Sequence, residues 1–131
     1  MDSAASQDFG LSTIGQIGIT ITDVDRAIRF YRDTLGMKFL FQAGSLAFFD
    51  CAGVRLMLSA SEKPGETYSS ILYFRVPDIQ AASSALESRG VVLEHPAHLV
   101  ARMPDHDLRM AFLRDPDGNL LGIMSEVSRA A

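Results

Sequence analysis

From Ile14 to Thr22 the chain alternates, with Ile17, Ile19 and Ile21 on one face and Gln16, Gly18, Thr20 and Thr22 on the other. That is the period-2 pattern of a strand with one side buried. Asp23 then offers an N-cap oxygen, Val24, Ala27, Ile28, Tyr31 and Leu35 recur at helical spacing, and Gly36 supplies the left-handed stop. The pattern predicts a helix over about 24–35. Met37 to Gln42, Leu46 to Cys51 and Val54 to Ser59 read as three strands, separated by Ala43-Gly44 and Ala52-Gly53 turns. The order is βαβββ.

The same order recurs. Ser61 to Thr67, with Lys63-Pro64-Gly65, is the natural linker, since it joins charge to both strong structure breakers. After it Ile71 to Val76 alternates, Asp78 caps, Ile79, Ala82 and Leu86 form a helical stripe, and Gly90 ends it. The two caps, Asp23 and Asp78, lie 55 residues apart. Val91 to Glu94, Leu99 to Met103, Leu108 to Asp115 and Leu120 to Ser125 are the remaining expected strands, with Asp115-Pro116-Asp117-Gly118 as a tight turn. The sequence therefore predicts an α+β protein of two repeated βαβββ half-units, whose curved mixed sheets surround a concave pocket. The expected organisation is a flexible segment over 1–12, a single domain over 13–126 with halves at about 13–60 and 69–126, and a flexible tail over 127–131.

If Ile17, Ile19 and Ile21, and their counterparts Leu72, Phe74 and Val76, cover the helices, the opposite faces line the concave side. Those faces carry Gln16, Gly18, Thr20, Ile71, Tyr73 and Arg75, and the same parity adds Arg55, Met57, Gly122 and Met124. An apolar surface with a few polar groups is the usual make-up of a small-molecule site.

Composition narrows the partners. A net charge of −4 over 131 residues, with no concentrated basic face, argues against nucleic acid. No apolar run reaches the roughly 18 residues of a membrane span, and 47% hydrophobic content is enough for one core without staples. The single cysteine, Cys51, excludes an internal disulfide, and Met1 to Ser12 lacks the basic start and apolar stretch of a secretory signal. A reduced, cytoplasmic setting is expected.

Two stretches, Ile21 to Gly36 and Phe112-Leu113-Arg114-Asp115-Pro116-Asp117-Gly118-Asn119, resemble the vicinal oxygen chelate superfamily, the glyoxalase/bleomycin resistance protein/dioxygenase family. The resemblance covers about residues 13–126. It implies the fold just described and a homodimer, while the reaction stays open because this fold hosts many chemistries. Members that use a metal hold it with His, Gln or Glu on the concave strands. The matching positions here are Gln16, Met57, Ile71 and Gly122. A divalent catalytic ion needs about three protein ligands, so one neutral amide implies no metal and no cofactor. A divalent metal is the alternative.

His95, His98 and His106 admit two readings, a replacement zinc site or histidines bonded to nearby backbone. In a continuous strand His95 and His98 point to opposite faces. His98 and His106 are the candidate acid and base groups if chemistry occurs. Arg55 and Arg75 suit a ligand carboxylate or phosphate, with surface ion pairing as the competing explanation; Arg102 and Arg109 have Asp105 and Asp107 as local partners. Cys51 follows an acid and reads as structural; Asp115 and Asp117 are explained by their turn.

The expected function is a metal-independent small-molecule-binding protein taking a partly apolar, anionic compound. Gln16, Thr20, Tyr73 and Arg75 would orient it, and Met57, Ile71 and Met124 would supply contact surface. The alternatives are an isomerase or lyase using His98 or His106, and a metal-dependent glyoxalase or dioxygenase.

Overall fold

The computed structural model describes residues 14–60 and 70–128; the expected N-terminal segment and the linker at Ser61 to Thr67 lie outside them. Strand β1 (Gln16–Ile21) enters helix α1 (Val24–Arg29) through Asp23, whose Oδ1 accepts from Arg26 N at 3.1 Å. One of the unpaired first-turn N–H groups is thereby satisfied. Without a break α1 passes into a π-helical turn, Phe30–Thr34, where Leu35 N donates to Phe30 O at 2.9 Å, and Gly36 at φ +71° ends it. Then come β2 (Lys38–Ala43), β3 (Leu46–Cys51) and β4 (Val54–Ala60).

The second half repeats this with β5 (Leu72–Arg75), α2 (Ile79–Ser88), β6 (His95–Arg102), β7 (His106–Arg114) and β8 (Leu120–Ser128). Asp78 Oδ1 caps α2 by accepting from Gln80 N and Ala81 N, each at 3.1 Å. We expect Asp78→Ala to lower stability by about 1 kcal/mol, read as a shift in the denaturation midpoint, and Asp78→Ser to restore most of it.

One expectation fails. Val91 to Glu94 and Leu99 to Met103 form no separate strands; a single β6 spans His95–Arg102. The apolar Val91-Val92-Leu93 run mimics a strand, but its backbone closes the helix instead. Val91 N donates to Leu86 O at 3.0 Å, and Gly90 turns the chain at φ +91°. At the other end, Val127 and Ser128 of the expected tail continue β8.

The strands form two four-stranded sheets, ordered β1-β4-β3-β2 and β5-β8-β7-β6. In each, the first pair is parallel and the rest antiparallel. Parity falls as the alternation requires. Ile19 and Ile21 are buried in one core cluster with Ala27, Ile28 and Tyr31, and Leu72, Phe74 and Val76 pack against the same cluster.

The halves are joined by the Asp115-Pro116-Asp117-Gly118 turn, which does more than reverse the chain. Asp115 is 4% exposed. Its Oδ1 accepts from Asp117 N at 2.9 Å and Asn119 N at 2.8 Å, and its Oδ2 from Asn119 Nδ2 at 2.8 Å. That same Oδ2 accepts from Tyr31 Oη, across the halves, at 2.9 Å. Asn119 Nδ2 also donates to Thr20 O at 3.0 Å. Asp117 Oδ1 accepts from Thr22 N at 3.0 Å, from the Thr22 hydroxyl, and from Arg26 Nη2 at 3.1 Å. The turn of the second half thus grips the β1–α1 junction of the first. Burial, reinforced by the Asp115 carboxylate, pushes the Tyr31 phenol far above its ordinary range.

Candidate ligand site on the concave faces

Register places the polar-face residues of each sheet in rows. In the first sheet, Gln16, Arg55, Asp50 and Lys38 form one row, and Gly18, Met57, Phe48 and Phe41 the next. Gln16 Nε2 lies 3.6 Å from Met57 Sδ, and the Phe41 and Phe48 rings stack with centroids 4.6 Å apart. In the second sheet the rows are Tyr73, Gly122, Phe112 and His95, then Arg75, Met124, Met110 and His98.

Gly122 explains the shape of the second sheet's face. A Cβ there would stand 2.6 Å from Tyr73 Cδ1 and 3.2 Å from Phe112 Cε1. The Tyr73 ring therefore lies flat on the strand where any other side chain would rise. It meets Phe112 edge-on at 5.9 Å, and Phe112 meets His95 at 6.0 Å. An aromatic row results, capped by an imidazole. The two sheets also meet at a seam, where Arg55 and Tyr73 of the concave faces share a cleft of about 170 Å³ with Cys51 and the helix-side Ile17, Leu72 and Phe74.

The histidines are arranged differently from the sequence expectation. A register shift between His95 and His98 sets them opposite Phe112 and Met110, two residues apart on β7, so both face the concave side. His106 pairs with Ser128, four residues along β7 from the partner of His98. At the rise of a strand that is about 13 Å, too far for both rings to serve one reacting atom. His98 Nδ1 sits 2.8 Å from Pro96 O. His106 Nδ1 sits 2.7 Å from Asp105 Oδ1, and its Nε2 3.9 Å from Glu126 Oε2. Glu126 Oε1 in turn takes Arg75 Nη1 at 3.2 Å, so ion pairing accounts for one face of Arg75. Asp105 bonds His106, and Arg102 stands opposite Asp107 in the β6–β7 register. Arg55 is exposed and forms no ion pair among the described residues. Cys51 is half-buried.

Phe41, Phe48 and Phe112 belong to these faces and were not singled out from the sequence. Phe112 follows from β7 alternation once its register on β8 is known. Phe41 does not, because the β2–β3 ladder slips between Phe39 and Phe41.

The sequence profile of the Glyoxalase/Bleomycin resistance protein/Dioxygenase superfamily matches residues 13–123. The chain belongs to this superfamily. Among curated relatives, the uncharacterized protein YraH of Bacillus subtilis is 28% identical over 123 residues, which span 82% of this chain and 94% of that protein. Catechol-2,3-dioxygenase of the same organism is 24% identical over 128 residues, but this chain spans only 42% of its length. Of solved structures, the antibiotic binding protein TnmS3 from Streptomyces sp. CB03234 matches with a TM-score of 0.70 at 25% identity, covering 90% of this chain and 98% of that one. Lactoylglutathione lyase from Agrobacterium tumefaciens matches with a TM-score of 0.70 at 24% identity, over 88% and 95% of the two chains.

The positions that the sequence resemblance matches to metal ligands are Gln16, Met57, Ile71 and Gly122. The donors there do not fit a divalent ion. Gln16 offers one amide oxygen, Met57 a thioether, and Ile71 and Gly122 nothing, while the Tyr73 ring occupies the space over Gly122. No group of three or more His, Cys, Asp or Glu comes together elsewhere among the described residues. No described helix is long and apolar enough to cross a membrane.

Proposed function

We propose that this chain is a metal-independent member of the superfamily that binds a partly apolar, anionic small molecule on its concave faces. The observation that carries this reading is the Tyr73–Phe112–His95 row laid over Gly122, with Arg55, which forms no ion pair among the described residues, beside it at the seam. Aromatic faces supply contact area to a flat apolar body, and a guanidinium without a carboxylate partner is available to an anion. The likeness to an antibiotic-binding protein supports the same class. Phe41, Tyr73 and Ile71 are 50%, 47% and 44% exposed. Their cover would be a second copy in a homodimer, checked by sedimentation. A cytoplasmic location suits the lone cysteine.

The test is calorimetry with a panel of aromatic carboxylates and glycopeptide antibiotics, beside elemental mass spectrometry of untagged protein. We expect at least one binder, a metal content near zero, and about a tenfold weaker complex for Arg55→Gln or Tyr73→Ala, the loss of one charge-assisted bond or one aromatic contact. A panel without binders, or one metal per chain, overturns the reading.

The His106–Asp105 contact favours a second reading, an isomerase or lyase, because a carboxylate on Nδ1 orients an imidazole for proton transfer at Nε2. His98 is the alternative acid or base. Turnover of any substrate found should then vanish in His106→Gln or His98→Gln while binding persists; unchanged turnover in both removes the assignment.

A further inference from the structure

An almost wholly apolar cavity lies on the other side of the second sheet. Half-enclosed and about 370 Å³ in volume, it lies between that sheet's helix-facing side, α2 and the end of the first half's helix. Its floor is Leu121 and Ile123, which alternate along β8 with Gly122 and Met124. One sheet thickness therefore separates it from the concave site. Ala82 and Ala85 of α2 form one wall, and Leu35 and Met37 the other. The space is large against the few sub-water voids that packed interiors keep.

We propose that this cavity is a second ligand site, taking the chain of an amphipathic aliphatic monocarboxylate whose head group meets Arg89. The lining is almost wholly aliphatic, so a buried polar body would lose its hydrogen bonds without replacement. A flexible chain fills such an irregular slot. Arg89 is the exception and stands where α2 ends. Its Nη1 donates to Thr34 O of the other half at 3.0 Å, the guanidinium's one hydrogen bond among the described residues. A carbonyl leaves the positive charge uncompensated and most of the guanidinium donors open. Arg89 and Ala85 are exposed while Leu86 is buried, so the mouth opens beside the charge. Apolar depth with one cation at its rim is complementary to a fatty-acid-like anion, and to neither a sugar nor a dication.

Cys51, the chain's single cysteine, borders both this cavity and the seam cleft, so its labelling reports on the cavity together with filling variants at Ala82 and Ala85, which line the cavity and not the cleft. The full-length protein is treated with a chromogenic disulfide reagent with and without octanoate, and octanoate and octan-1-ol are titrated by calorimetry. We expect saturable octanoate binding that slows Cys51 labelling in parallel. Ala85→Phe and the smaller Ala82→Leu, each checked for native circular dichroism, should abolish both effects by filling the slot. Arg89→Gln should weaken octanoate about tenfold, as loss of a charge-assisted bond does, and leave octan-1-ol unchanged. Ser84→Ala, on the exposed side of α2 and away from both the cavity and the concave faces, should change nothing. The proposal is overturned if octanoate leaves labelling untouched, or if protection survives both filling variants. It is equally overturned if labelling slows with protein concentration alone, which would make the slot a contact between copies.

Discussion

Replacing Asp115 with alanine should lower the unfolding free energy by about 4 kcal/mol, more than any other single change on this chain's turns or caps. Four donors converge on its carboxylate, from Asp117 N, Asn119 N, Asn119 Nδ2 and Tyr31 Oη, all between 2.8 and 2.9 Å. Alanine leaves them pointing into a site that is 4% exposed. Each buried donor stripped of its acceptor costs about 1–3 kcal/mol, offset in part by removing a carboxylate that was costly to bury. The loss should also separate the halves' behaviour, because Tyr31 belongs to the first and Asp115 to the second. We expect hydrogen exchange to accelerate in β1 and α1 as well as at the turn. Acceleration confined to residues 115–119 would mean that the turn merely reverses the chain.

Tyr31→Phe isolates the bond across the halves and should cost about 1–2 kcal/mol. It also has a signature in alkali. The folded phenol is held protonated well above the ordinary tyrosine value of about 10. The unfolded chain then gives up this proton first as pH rises. Stability from Tyr31 is thus fully present below about pH 10 and falls above it by about 1.4 kcal/mol per pH unit. Wild type should lose about 1 kcal/mol between pH 10 and 11, the slope rising toward the full value as the unfolded phenol ionises, and Tyr31→Phe should lack that component. Equal slopes would show that Tyr31 titrates normally.

Much of the fold was legible because period carries it. Ile17, Ile19 and Ile21 against Gln16, Gly18 and Thr20 fix the first strand and its buried face, and Asp23 and Asp78 mark the helix starts by the chemistry of a cap. What alternation cannot show is a slip in the ladder. The shift between His95 and His98 puts both rings on one face, where a continuous strand would have split them. Nor can local sequence show a contact across 84 positions: the turn chemistry of Asp115 is complete without Tyr31, so nothing nearby announces the bond. Val91-Val92-Leu93 misleads for the opposite reason. Its two β-branched valines have strand propensity, but the helix end claims the Val91 N–H first.

Gly122→Val should destabilise the protein by about 2 kcal/mol, and the same substitution in a Tyr73→Ala background should be neutral within about 0.5 kcal/mol or stabilising. The sign depends on one ring. In a strand, valine normally outranks glycine, which packs nothing and loses more backbone freedom on folding. Here the new Cβ would stand 2.6 Å from Tyr73 Cδ1 and 2.9 Å from Cε1, contacts that real side chains do not make. Overpacking of this kind costs about 1–3 kcal/mol. Because Tyr73 is 47% exposed, the ring can swing outward instead of breaking the sheet, so the cost stays near the middle of that range. With the ring gone, Phe112 Cε1 at 3.2 Å is the remaining close neighbour and needs to give by only a few tenths of an ångström. The double-mutant cycle therefore has a coupling energy of about 2 kcal/mol, measurable by denaturant unfolding without any ligand in hand. Under the proposed function Gly122→Val should also weaken an aromatic ligand as much as Tyr73→Ala does, since both remove the ring from its place beside Phe112. Additive stability effects would instead show that the glycine serves the backbone and that the aromatic row is set by Phe112 alone.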